Sequence, residues 1–213
     1  MSDIPKTAPD MSKQFVRAAI LIAILGVSVT FNSSNSNSNQ YQHVLTLVHL
    51  LSFMSWFGCS IWVSFVGGII MFQNLPRHTF GRLQSKLFPA YFLFSAIAIV
   101  LSIASATALS WSRNNGTMSL YLILATILIN LVYLEPKTTQ VMFERHVVER
   151  KLGTGQEVGI IKPKDPKIAN DPELKKLSKT FGMLHGMSTL MNLAALGVGC
   201  YWANVLTLQM MSV

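Results

Sequence analysis

The sequence has few charged residues: Lys, Arg, Asp and Glu make up 12% of its 213 positions, against about 25% in a typical soluble domain. Four stretches contain none of these residues at all. They are residues 30–76, 87–112, 114–134 and 180–213. A helix needs about 20 apolar residues to cross the hydrocarbon core of a bilayer. Each stretch is long enough to span a membrane, which argues against a soluble globular fold.

Cysteine is also scarce, and familiar catalytic motifs are missing. Cys59 and Cys200 both fall in apolar stretches, which argues against a disulfide framework and predicts two buried thiols. The sequence has no glycine-rich phosphate loop, no Cys/His set with zinc-finger spacing, and no credible Ser/His/Asp combination. No transporter repeat is visible either. The sequence therefore predicts a protein without enzymatic activity and without a cofactor.

The predicted fold class is all-α: a polytopic membrane helical bundle of four core transmembrane helices plus an N-terminal helix. Residues 1–40 form an N-terminal extension, in which residues 15–31 are a candidate signal-anchor helix and a Ser/Asn-rich linker follows. A cleaved signal peptide is the other interpretation of residues 15–31. Residues 41–213 form the four-helix membrane domain, with a cytosolic amphipathic segment and loop at residues 135–180.

The net charge of +8 reflects topology rather than nucleic-acid binding. In a five-helix arrangement, sixteen of the seventeen basic residues fall on one side, and only Arg113 falls on the other. Cytoplasmic loops carry the Lys/Arg excess. The pattern predicts a cytosolic N-terminus, a C-terminus on the far side, and the lipid bilayer as the main partner.

Prolines and caps predict the helix boundaries. Pro76 should end the first core helix, because proline cannot continue helical hydrogen bonding. Residues 79–87 are predicted as a short helix at the membrane interface, with Pro89 at the entry of the next span. The mixed apolar and charged residues after Pro136 predict an amphipathic helix on the membrane surface. Asp171 should cap the last helix.

Three segments resemble one family. They are residues 62–68 (WVSFVGG) continuing through 75–81 (LPRHTFG) to 84–89 (QSKLFP), residues 134–139 (LEPKTT), and residues 184–188 (LHGMS) followed by Asn192 and Leu193. Together they resemble the transmembrane protein 205-like family, over roughly residues 44–206. The resemblance implies a small four-helix protein of eukaryotic endomembranes, linked with vesicular traffic and tolerance to platinum drugs but with no settled biochemical activity. Residues 1–40 have no counterpart in the family core.

Two sets of residues have both a structural and a functional interpretation. Small residues at four-residue spacing let helices approach closely in lipid, within one chain or in a homodimer. They are Ser60, Ser64 and Gly68 on one helix, with Gly67 next to Gly68, and Gly182 and Gly186 on another. Sulfur ligands prefer soft metals, although methionine is also ordinary apolar filler. The candidate soft-metal ligands are Met183, Met187, Met191, Cys59 and Cys200.

The remaining candidates form a cytosolic rim, the polar residues expected near one membrane surface. They are Arg77, His78, Gln84, Lys86, Glu135, Lys137 and His185. Glu135 is placed to pair with Arg77, Lys86 or His185, as an ionic latch between helix ends or, alternatively, as part of a proton shuttle. His49 and His185 fall in opposite leaflets and are predicted to be hydrogen-bonded structural histidines or, alternatively, a polar lining for a passage.

These observations favour a non-enzymatic multi-pass protein that packs with lipids or membrane-protein partners and supports membrane organisation or trafficking. The resemblance implies the endoplasmic reticulum or secretory vesicles as its location, with the plasma membrane as the alternative. The alternative is a small permease or efflux facilitator for copper-like or platinum-like species. An intramembrane enzyme using Glu135 and His185 is the least favoured interpretation.

Overall fold

The computed structural model describes residues 38–111, 115–159 and 165–211. Within those ranges the chain is helical, and its residues form no β-strand. The helices are α1 (Ser38–Trp62), α2 (Gly68–Asn74), α3 (Arg77–Ala108), α4 (Met118–Ile129), α5 (Glu135–Lys151), α6 (Pro166–Asn170) and α7 (Pro172–Met211). The candidate helix at residues 15–31, and most of the Ser/Asn linker, lie outside the described residues.

The described residues contain four helical segments long and apolar enough to cross a membrane, as predicted for the core. They are Gln40–Asn74, Arg77–Ala108, Met118–Lys151 and Pro172–Leu208. Helices are favoured in lipid because each satisfies its own backbone hydrogen bonds. Two segments contain wide π turns, at Val63–Gly67 and Asn130–Leu134, which join α1 to α2 and α4 to α5.

The predicted boundaries at Pro76 and Asp171 are confirmed. The helix ends at Asn74, and Leu75 is extended at φ −112° and ψ 142°, as expected for the residue before a proline. Asp171 Oδ1 accepts a 2.7 Å hydrogen bond from the backbone N–H of Leu174. This bond satisfies one of the unpaired donors at the start of α7.

Two other boundary predictions are wrong. Residues 79–87 are not a separate interfacial helix, because α3 runs unbroken from Arg77 to Ala108 with Pro89 inside it. A proline removes one backbone hydrogen bond, and long membrane helices tolerate that loss. The preceding span also does not end at Glu135–Pro136, since Glu135 donates its N–H to Asn130 across the wide turn; the position of the following segment on the membrane surface stays a prediction.

The fold divides into two compact units. The His49 unit comprises the described residues of Met1–Phe57, Leu93–Leu124 and Val198–Val213. The Arg77 unit comprises the described residues of Gly58–Phe92 and Ala125–Gly197. Leu134, Val141 and Leu184 form a buried apolar cluster in the Arg77 unit, on which Leu177, Phe181 and Met191 pack.

The His49 unit is organised around a fully buried histidine. His49 Nδ1 lies 2.9 Å from the carbonyl oxygen of Ser102 and 3.2 Å from Ser105 Oγ. Trp202 donates its indole N–H to His49 Nε2 over 3.1 Å. Both ring nitrogens therefore have partners, which confirms the prediction of a structural histidine at position 49.

Candidate functional site

The Arg77 unit contains a buried carboxylate with several basic partners. Glu149, on α5, has a side chain that is 2% exposed. Arg77 Nη1 lies 2.9 Å from Glu149 Oε1, and His78 Nε2 lies 2.9 Å from Oε2. Arg145 Nε lies 3.4 Å from Oε1, one turn back on the same helix. A charge buried this deeply needs such partners, because an unpaired ion is costly away from water.

The segment at residues 154–159 holds the start of α3 in place. Arg77 donates its backbone N–H to the Glu157 carbonyl over 3.0 Å, and His78 donates its own to the Gly155 carbonyl over 3.1 Å. The first amides of a helix have no partner within the helix, and these bonds satisfy two of them. Gly155 adopts a φ of +103°, and a side chain there would collide with the His78 ring.

Glu157 extends the ion pairing from Glu149 to the surface. Its Oε2 lies 3.6 Å from Arg77 Nη2 and accepts a 2.8 Å hydrogen bond from the backbone N–H of Gly155. Partial burial tends to raise the pKa of the Glu157 carboxyl, but hydrogen bonds from Thr154 and Gly155, together with the Arg77 charge, hold its pKa below the ordinary value. Arg77 thus bridges two carboxylates.

His146 lies beside this cluster but takes no part in its hydrogen bonds. Its ring centroid is 4.3 Å from that of His78. Its Nε2 atom is buried and has no hydrogen-bond partner among the described residues. A Cβ atom at Gly81 would come within 2.6 Å of the His146 ring, so the absence of a side chain there lets α3 and α5 approach closely.

The same unit contains a cavity of about 590 Å³, within the usual range for small-molecule sites. The α3 residues that line it run from Arg77 to Phe92, and the α7 residues run from Phe181 to Asn192. At 1.5 Å per residue, the α3 wall is about 22 Å long. Aromatic residues supply much of the apolar wall. They are Phe72, Phe80, Phe88, Tyr91, Phe92 and Phe181.

Charged groups of both signs also line the cavity. Arg77 and Arg145 contribute guanidinium groups, and the Arg145 guanidinium lies 4.6 Å from the centre of the Phe181 ring. Glu135 contributes a carboxylate that accepts a 2.8 Å hydrogen bond from Thr139. No ion pair of Glu135 is found among the described residues.

Near the other end of the α3 wall the polar groups are neutral. The Tyr91 hydroxyl bonds both Ser60 Oγ, at 2.9 Å, and Asn192 Oδ1, at 2.8 Å. Asn192 Nδ2 donates to Ser64 Oγ over 2.7 Å. The cavity therefore combines an ionic region, aromatic walls and a hydrogen-bonded neutral region.

The structure brings together part of the predicted rim. Arg77, Gln84, Glu135 and His185 all line the cavity. His78 is buried against Glu149 instead, while Lys86 and Lys137 are exposed. The specific pairing predicted for Glu135 is not formed among the described residues, because Arg77 reaches Glu149 and Glu157.

The small residues behave differently on the two helices. Ser60 and Ser64 make the interhelical hydrogen bonds to Tyr91 and Asn192. At Gly67 and Gly68 an added Cβ would meet only atoms of residues 62 and 63, one turn earlier in the chain. At Gly182 and Gly186 it would meet no described atom within 4 Å, so the described residues make no close packing there.

The five candidate soft-metal ligands do not gather at the cavity. Met183 and Met187 are 59% and 46% exposed, and Met191 packs on the apolar cluster of the Arg77 unit. None of the three lines the cavity. Both cysteines are free thiols, and the prediction that they are buried is wrong, since Cys59 is half-buried and Cys200 is exposed.

Four residues that sequence reasoning did not single out complete the site: Arg145, His146, Glu149 and Glu157. A local signal for two of them exists, because His146 and Glu149 are three residues apart and therefore share a helix face. Their partner His78 is 68 positions before His146, and no local pattern relates the two.

Four membrane-length apolar helices, and a site built mainly from side chains within their helical segments, define an integral membrane protein of the polytopic α-helical class. The chain is 31% identical over 174 residues to transmembrane protein 205 of Danio rerio, a match that covers 77% of this chain and 91% of that protein. Residues 51–147 match the family described as a domain of unknown function, DUF4149. The chain belongs to the transmembrane protein 205 family. No solved structure matches it.

Proposed function

We propose that this protein binds a zwitterionic membrane phospholipid in the cavity of the Arg77 unit and supports membrane organisation without performing covalent chemistry. The observation that carries the proposal is the composition of the cavity wall. It combines Arg77 and Arg145, a carboxylate at Glu135 with no ion pair among the described residues, and a long aromatic surface.

Charge complementarity selects the headgroup. A phosphate would bond the guanidinium groups, because arginine matches phosphate geometry. An ammonium group would pair with Glu135. An anionic lipid without an ammonium group would bind the guanidinium groups but leave Glu135 unpaired. Glu149 and Glu157 also offset part of the positive charge of the arginines. An acyl chain suits the aromatic wall, which buries apolar surface.

Lipid binding agrees with a role in endomembranes and trafficking, which forms part of this proposal and is supported by the family resemblance. A homodimer through the open face at Gly182 and Gly186 would extend it, since small residues allow close helix approach. The soft-metal permease has weaker support, because Met183 and Met187 lie outside the cavity wall.

Native mass spectrometry of the purified full chain, exchanged into mixed phospholipids, tests the proposal. We expect one retained phosphatidylcholine or phosphatidylethanolamine, in preference to phosphatidylglycerol. Glu135→Gln should reduce its occupancy about tenfold, because a charge-assisted contact contributes roughly 1.5 kcal/mol or more. Lys137→Gln, exposed two residues away, is the matched control.

Equal retention of phosphatidylglycerol would contradict the zwitterionic headgroup, and no retained lipid would contradict the proposal as a whole. The permease is tested separately in sealed proteoliposomes. Copper(I) or platinum(II) flux that depends on the protein, and that falls when Met183, Met187 and Met191 are all replaced by Leu, would favour it over lipid binding.

A further inference from the structure

We propose that His78, His146 and Glu149 form a binding site for a divalent transition-metal ion of the zinc class. One ligand atom from each residue lies within 4.8 Å of the other two, and all three residues are buried. The proposal goes beyond lipid binding, since only His146 of the three residues also lines the cavity, and its test requires no lipid.

The ligand set suits zinc. Zn²⁺ binds imidazole nitrogen and carboxylate oxygen at about 2.0–2.2 Å, usually with tetrahedral geometry. Ligand atoms around such an ion are therefore about 3.4 Å apart. His78 Nε2 and Glu149 Oε2 are already 2.9 Å apart. Imidazole ligands do not favour Mg²⁺ or Ca²⁺, which prefer oxygen.

His146 supplies independent evidence for a ligand. Its side chain is 2% exposed, yet Nε2 has no hydrogen-bond partner among the described residues. A buried polar atom left in this state costs about 1–3 kcal/mol. Metal coordination through the Nε2 lone pair would remove that cost and would require the ligand atoms to approach one another by up to about 1.4 Å.

The surroundings hold both imidazole rings close to one another. Gly81 leaves the space that the His146 ring occupies, and Gly155 does the same for His78. A side chain at either position would displace a proposed ligand. The two glycines come from different segments, one on α3 and the other in the loop after α5, so the approach of the rings does not depend on a single helix.

The charges nearby are compatible with a bound ion. Arg77 contacts Glu149 through Oε1, whereas His78 contacts Oε2. The ion can therefore take Oε2 while Arg77 keeps its bond and orients the carboxylate, as outer partners of metal ligands commonly do. Arg145 opposes a cation, while Glu157 offsets Arg77 at 3.6 Å. Three protein ligands leave a fourth position for water or a small ligand.

Titration of the purified, tag-free, chelator-treated full chain with Zn²⁺ and Co²⁺ tests the site. We expect one bound equivalent and a tetrahedral Co²⁺ absorption spectrum. His146→Ala should weaken binding at least about tenfold, because even the loss of an outer partner costs 10–100-fold. His43→Ala, which removes an exposed histidine on α1, should leave binding unchanged.

The wild-type protein alone can overturn the proposal. Less than one bound equivalent, or an octahedral Co²⁺ spectrum typical of scattered surface histidines, would do so even if His146→Ala did not fold. Tetrahedral binding that persists at full affinity in a folded His146→Ala variant would also reject it. Loss of binding in His146→Ala together with retention in His43→Ala would support it.

Discussion

His49 and His146 are both fully or almost fully buried, yet their surroundings differ. In the His49 unit, both ring nitrogens are satisfied by neutral groups from Ser102, Ser105 and Trp202. In the Arg77 unit, His146 lies beside charged groups and keeps an unbonded nitrogen among the described residues. Fully bonded polar groups stabilise and rigidify a core, whereas unsatisfied ones are unusual and indicate strain or function. The comparison separates a histidine that maintains structure from one available for binding.

The largest effect on stability is predicted for a substitution that removes the centre of the charged cluster. Glu149→Ala should lower the free energy of unfolding by about 3–5 kcal/mol, because it leaves Arg77, His78 and Arg145 without their shared partner. Chemical denaturation in detergent measures the change. Glu144→Ala removes an exposed carboxylate from the same helix and should change stability by no more than about 0.5 kcal/mol. Equal losses of stability in the two variants would contradict a stabilising contribution specific to the Glu149 cluster.

A smaller effect is expected in the His49 unit. His49→Leu introduces an apolar side chain of similar size and leaves the Trp202 N–H unpaired, which should cost about 1–3 kcal/mol. The same denaturation assay applies, with His43→Leu, exposed on the same helix, as the control. The change should not alter Co²⁺ binding. A loss of Co²⁺ binding in His49→Leu would contradict the proposal that His49 is structural and only His146 takes part in metal binding.

The four spans and two of their ends, at Pro76 and Asp171, could be predicted from sequence because they depend on local properties. Uncharged length, the extended residue before Pro76 and the Asp171 cap each act within a few residues. The Glu149 cluster could not be predicted from sequence, because the residues after Pro136 have the composition of a surface helix. A charged helix face looks the same in sequence whether it meets water or the start of α3. The pairing also depends on the loop at residues 154–159, whose backbone carbonyls hold Arg77 and His78.

The smallest predicted effect concerns the exposed edge of the charged cluster. Glu157→Gln should cost no more than about 1 kcal/mol at neutral pH, because partly exposed ion pairs contribute little. Folding lowers the pKa of Glu157. The contribution of Glu157 to the free energy of unfolding is therefore fully present above the ordinary carboxyl pKa of about 4.3, and it is lost as the pH falls through the folded-state pKa.

The difference in melting temperature between wild type and Glu157→Gln should therefore be constant between pH 6 and 8, on the order of one or two degrees, and should shrink towards about pH 3. Glu173→Gln, at an exposed position in the first turn of α7, controls for the loss of a surface carboxylate. A difference in melting temperature that grows on acidification would show that folding stabilises the protonated form of Glu157. The contact between Arg77 and Glu157 would then not be an ion pair.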